Sequence, residues 1–123
     1  MEKIDKGIDE LYTDFLREMN TLEEQRETIT KEINKNEKDQ GIFQNIIREM
    51  KWMYKEVKEH CQEEQFILSM ENCEDEFYDC QRNIENELEE KREFLETERR
   101  NTYRKEEELR GNLHRKKMAM DKY

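Results

Sequence analysis

From Met19 onward the residues of one helical face recur in strict alternation of three and four positions: Leu22, Arg26, Ile29, Ile33, Asn36, Gln40, Phe43, Ile47, Met50, Tyr54, Val57, Cys61. A period of 3.5 held over six repeats predicts an α-helix supercoiled left-handedly against a partner. Upstream, Ile4, Ile8, Leu11 and Phe15 continue that face. The four-plus-four step Leu11, Phe15, Met19 marks a local stutter. The rest of the chain agrees with a thin seam. Its 123 residues are 46% charged and 33% hydrophobic, with no Pro. That is too little apolar surface for a thick core to offset the entropy of ordering a globule. Such composition also occurs in disordered chains. The missing Pro, the many Glu, Lys, Arg and Leu, and the sustained period favour helix.

A second apolar face runs Met70, Cys73, Phe77, Cys80, Ile84, Leu88, Arg92, Leu95, Arg99, Thr102, Glu106, Leu109, Leu113, with Met120 last. The expectation is therefore all-α: an elongated antiparallel two-helix hairpin, coiled-coil-like, forming a single unit over residues 1–123. Helix 1 covers about 3–60, the bend falls at about 59–73, and helix 2 covers about 66–120. At 1.5 Å per residue each helix would be about 80–90 Å long. Folding near residue 62 would set position i opposite about 124 − i, so Phe15 faces Leu109, Leu11 faces Leu113 and Ile47 faces Phe77. Polar middle then meets polar middle. A competing turn lies at Asn34–Gly41 (NKNEKDQG), which has loop-like content. The heptad phase runs straight through it, and Gly41 would cost a helix only about 1 kcal/mol.

The net charge is −10 and unevenly spread. Residues 62–98 hold 14 Asp/Glu against Arg82, Lys91 and Arg92, a balance of −11. Nucleic-acid binding needs a basic face, so the bulk of the chain is unsuited to it. The basic residues Arg115, Lys116, Lys117 and Lys122 are expected to complement a helix C-terminus. The charged start MEKIDKGIDELYTDF lacks the apolar segment of a secretory signal. No apolar run approaches the roughly 18 residues of a membrane span, so no membrane insertion is expected. Three Cys without a CxxC spacing point to a reducing, cytoplasmic setting rather than a disulfide framework.

Around Ile42–Cys80 the apolar residues leave the stripe and appear all round the helices. Ile46 and Ile47 adjoin, as do Trp52, Met53 and Tyr54, then Phe66, Ile67 and Leu68, then Phe77 and Tyr78. A two-helix seam covers about two positions in seven. Ile46, Trp52, Met53, Ile67 and Tyr78 are thus candidates for exposure, and with Phe66 and Phe77 they form the candidate partner-binding set. The plainer alternative is a curled loop or third short helix folded over them. No catalytic arrangement is visible: His60 and His114 lie far apart, and there is no phosphate loop or HExxH. Cys73 and Cys80 would sit about 10 Å apart along one helix, too far to share a metal with His60 and Cys61. They read as small core residues instead. No cofactor and no enzyme activity are expected.

Some of these residues carry a family likeness. A Trp late in helix 1 (Met50-Lys-Trp52), an aromatic pair opening helix 2 (Phe77-Tyr78) and the tail ELEEKREFLETERRNTYRKEEEL resemble the small helical-hairpin accessory proteins encoded beside LXG toxins of the bacterial type VII secretion system. These look like elongated relatives of WXG-type proteins. Unlike those relatives, the chain has no Trp-x-Gly turn: Met53 and Tyr54 follow Trp52. The resemblance implies an adaptor or chaperone that binds the helical LXG domain of a toxin, alongside a second small helical WXG-like protein, and targets it for export. The protein would be cytoplasmic or co-secreted with its cargo. Tyr103 and Glu107 fit the Tyr-x-x-x-Asp/Glu export pattern of related secreted hairpins, and Phe94-Leu-Glu-Thr-Glu98 is a near-match to a companion form. Five Tyr in so acidic a chain make one such match unsurprising. Two other classes stand beside the adaptor: a structural coiled coil that self-associates through its surplus surface, and an acidic mimic of nucleic acid.

Overall fold

The computed structural model describes residues 2–121, and the side chains of residues 7–121. Two helices make up the chain, α1 (Glu2–His60) and α2 (Glu64–Asp121). They fold back on one another as an all-α antiparallel hairpin, with Tyr54 of α1 against Phe77 of α2 and Lys58 against Glu74. The chain divides into two compact units, residues 1–32 with 95–123, and residues 33–94. The expected seam residue Ile4 has its side chain outside the described residues.

Only residues 61–63 lie between the helices. Cys61 N–H still donates to the Val57 carbonyl at 2.9 Å, and Ile67 N–H already donates to the Glu63 carbonyl at 3.0 Å. No residue among those described has positive φ, which is why neither Gly nor Pro marks the bend. The local signal is charge. Lys58 and His60 close α1 and Glu64 opens α2, each sign favoured at that end of a helix dipole. The far end of α2 differs from expectation: its last turn holds no basic residue, and Arg115, Lys116 and Lys117 stand before it. The competing turn at Asn34–Gly41 is not formed. α1 passes through it, and Gly41 is exposed with open space where a Cβ would stand.

Every heptad position of α1 from Met19 to Cys61 is buried or half-buried. Three of them, Leu22, Ile47 and Tyr54, belong to the fully buried apolar set. On α2 the expected positions Met70, Phe77, Leu88, Leu95, Thr102, Glu106, Leu109, Leu113 and Met120 also face inward. Cys73, Cys80, Arg92 and Arg99 do not, and Ile84 is 39% exposed. Glu74, Gln81 and Glu98 turn inward beside them. The early part of the α2 stripe runs Ile67, Met70, Glu74, Phe77, Gln81, keeping Met70 and Phe77 of the expected reading but putting Glu74 and Gln81 in place of Cys73 and Cys80, which are exposed thiols rather than core.

The register is also displaced. Arg26 meets Glu106 in one unit, and Tyr54 meets Phe77 and Lys58 meets Glu74 in the other. At these contacts position i therefore faces roughly 131 − i, where a fold at residue 62 gave 124 − i. The Asn36 side chain, reaching the Leu88 carbonyl, keeps the sum of 124. Phe77 has its ring on Tyr54, a heptad beyond Ile47. Leu11, Phe15, Leu109 and Leu113 line one common groove. At that register the first turns of α2 have no position of α1 opposite them.

The seam contains polar pegs. Asn36, 2% exposed, donates its amide to the Leu88 carbonyl at 3.3 Å and accepts from Gln40 at 3.2 Å. Glu106, 1% exposed, accepts from the Arg26 guanidinium at 3.2 Å through Oε2, while its buried Oε1 has no partner. Removing Arg26 strands a buried carboxylate. We expect Arg26→Ala to lower unfolding free energy by about 2 kcal/mol; the part-exposed guanidinium keeps this below the cost of breaking a fully buried pair. The double variant Arg26→Leu with Glu106→Leu should match or exceed the parent in urea unfolding midpoint. A double variant weaker than Arg26→Ala would contradict the assignment.

Candidate partner-binding surface

The exposed apolar surface begins from a shortage of cover. Among the described residues, nine of the twelve large apolar side chains that stay exposed fall within residues 33–94: Ile42, Ile46, Trp52, Met53, Phe66, Leu68, Tyr78, Ile84 and Phe94. Among the described residues no third helix or curled loop folds over them, because residues 61–63 are all that separates α1 from α2. Trp52 is 65% exposed, about two turns before the end of the unbroken α1.

The candidate residues do not form one patch. Successive residues turn by about 100° round a helix. Ile46 and Met53, with Ile42, therefore share one flank of the seam, next to half-buried Met50 and Val57. Trp52, about 200° round from both Met50 and Tyr54, points away from the seam on the back of α1. On the second flank, that of Lys51 and Lys58, the two helices are closed by contacts of their own. The Lys51 ammonium lies 5.9 Å from the Tyr78 ring centre. Lys58 reaches both oxygens of Glu74, at 3.0 and 2.5 Å, and this hydrogen bond is the main cause that raises the Lys58 pKa above its ordinary 10.5.

Phe77 and Ile67, expected at the binding surface, are half-buried. The Phe77 ring sits tilted between Tyr54, at 5.9 Å, and Tyr78, at 6.0 Å, and so supports the seam. Phe66 is exposed for a different reason. It lies one heptad before the exposed Cys73, off the inward stripe that begins with Ile67, and Leu68 lies off that stripe on its other side. Phe66 is 45% and Leu68 57% exposed. Sequence reasoning missed Ile42, Ile84 and Phe94 as exposed residues. The signal available was the off-seam spacing Ile42, Ile46, Met53, which repeats at four and seven.

In the other unit Tyr103 and Glu107 are both exposed, one turn apart within α2. Phe94 is exposed and Glu98 half-buried. Charge separates the units as well: residues 33–94 carry 17 Asp/Glu against nine Lys/Arg. Among the described residues no group of three His, Cys, Asp or Glu is placed to hold a metal ion, and no helix is long and apolar enough to cross a membrane.

Tyr54 reports on the seam. Burial first, and then the nearby Cys73, Glu74 and Glu76, push its phenol above the ordinary 10.0. The folded state therefore holds this proton more tightly than the unfolded chain. The associated stability is present below pH 10.0 and is lost as pH rises from there through the folded value. Tyr54→Phe removes that titration. It should lose less unfolding free energy than the parent between about pH 9.5 and 11; equal losses would show that the Tyr54 hydroxyl is not desolvated.

Residues 2–118 match the model of a family described as a protein of unknown function, DUF3958. No curated protein and no solved structure matches the chain.

Proposed function

The chain belongs to that family, whose description assigns no activity, and from its own surface we propose that it is a non-enzymatic adaptor. It binds the helical N-terminal LXG domain of a type VII secreted toxin, in company with a second small helical WXG-like protein, and brings that cargo to the export machinery. It works in the cytoplasm before the cargo leaves. The observation that carries this reading is the set of nine large apolar side chains left open on residues 33–94. An apolar surface of that extent is the usual mark of an interface, and Trp, Tyr and Met are favoured anchors. The family likeness of the sequence supplies the system in which such a surface serves. Tyr103 and Glu107, exposed one turn apart, are available as an export element. Self-association through the same surface is opposed by its charge, because two copies would bring like-charged acidic units together.

Co-expression with the LXG domain of the toxin encoded beside this chain tests the reading. The two proteins should co-purify as a complex. Changing Ile46, Trp52 and Met53 together to Glu removes apolar surface from one flank and from the back of α1 and should weaken the complex about tenfold or more. Separate elution, or an unaltered affinity of the triple variant, would contradict it.

A further inference from the structure

The two flanks of residues 33–94 differ in kind. On one flank Lys51 and Lys58 of α1 reach across to Tyr78 and Glu74 of α2, so its charges are satisfied within the chain. On the opposite flank Ile42, Ile46 and Met53 of α1 run beside Cys80 and Ile84 of α2, all of them exposed. Cys80 is two residues and about 200° round from Tyr78, which places it on this side. The outer rims of that apolar strip carry Glu49 on α1 and Glu76 and Glu90 on α2, and Glu87, one heptad from Cys80, lies in line with it, all exposed. The basic residues of this flank, Lys35 and Lys91, stand at its far end, beyond Ile42 and Ile84. The result is an apolar channel between two acidic banks.

We infer that this channel seats one α-helix of the partner, about four turns long, whose apolar stripe is bordered by Lys and Arg. The occupant's length follows from the strip, which runs along α1 from Ile42 to Val57, about 22 Å at 1.5 Å per residue. Its charge follows from the banks: a neutral or acidic helix would bury its stripe at the cost of setting carboxylates beside carboxylates. A second copy of this unit is disfavoured on the same ground. The assignment deepens the adaptor reading and rests on it only in taking the partner to be helical; which flank is used, and the charge of the occupant, are new.

The Cys80 thiol reports on this flank and the Trp52 indole on the back of α1, away from it, so the full chain serves as its own probe. Two synthetic helical peptides of equal length are added in turn, sharing one leucine stripe, one flanked by Lys and the other by Glu. The Lys peptide should slow alkylation of Cys80 at least threefold, lose that effect in high salt, and leave Trp52 fluorescence unchanged. The Glu peptide should do neither. Ile46→Glu with Met53→Glu should abolish the protection while Trp52→Glu keeps it, both variants retaining their helical circular dichroism. Equal protection by the two peptides, no protection by either, or a Trp52 response without protection of Cys80 would overturn the assignment. So would Cys80 protection that grows with protein concentration alone, which would make a second copy the occupant. The LXG domain separates the two proposals. If it binds and shields Trp52 instead of Cys80, the channel is wrong and the adaptor stands; if the Lys peptide protects Cys80 and the LXG domain does not bind, the reverse holds.

Discussion

Two helices that meet through a single heptad stripe cover about two residues in seven, and this limit governs the molecule. In the unit of residues 1–32 and 95–123, three large apolar side chains, Leu16, Tyr103 and Met118, remain exposed among the described residues. In residues 33–94 the same kind of seam has to serve nine more, and it does not. The surplus is a matter of geometry: α1 is continuous through Trp52, and the linker is too short to fold back as a cover. A chain with this imbalance gains several kcal/mol by burying the excess elsewhere, at about 25 cal/mol per Å² of apolar area.

The polar pegs explain how so thin a seam keeps one alignment. Asn36 reaches the Leu88 carbonyl across the seam. Arg26 reaches Glu106 across the seam in the same way, and Lys58 reaches Glu74. Shifting one helix by a heptad would leave each of these groups without its partner, and a stranded buried polar group is costly. A seam made of Leu throughout would be more stable and less selective. The pegs spend stability on register, and register sets which apolar residues share each flank.

The sequence disclosed α1 completely and α2 only in part. Along α1 the large residues and the polar pegs keep one phase from Met19 to Cys61, so period alone found the buried face. Along α2 the inward positions between Ile67 and Leu88 include Glu74 and Gln81, while the neighbouring Cys73 and Cys80 look more apolar. Choosing by hydrophobicity selected the wrong neighbours, because Glu74 is drawn inward by Lys58, a partner 16 residues away that no local pattern reveals. The displaced register has a similar origin: a linker without Gly or Pro leaves no mark of how far it runs before α2 turns back. The candidate surface was legible as a surplus but not as two flanks. Ile46 and Met53 separate from Trp52 only once the α1 seam is fixed, and Phe66 falls off the α2 stripe only once the phase through Glu74 and Gln81 is known.

Whether the apolar surplus is kept open for a different protein is decided most directly by sedimentation equilibrium of the purified chain alone. The account predicts a single species of 15.4 kDa over a wide concentration range, with an indole emission maximum typical of water-exposed Trp. A stable dimer or tetramer with blue-shifted Trp52 emission would mean that the chain covers this surface with copies of itself, and the adaptor account would fail.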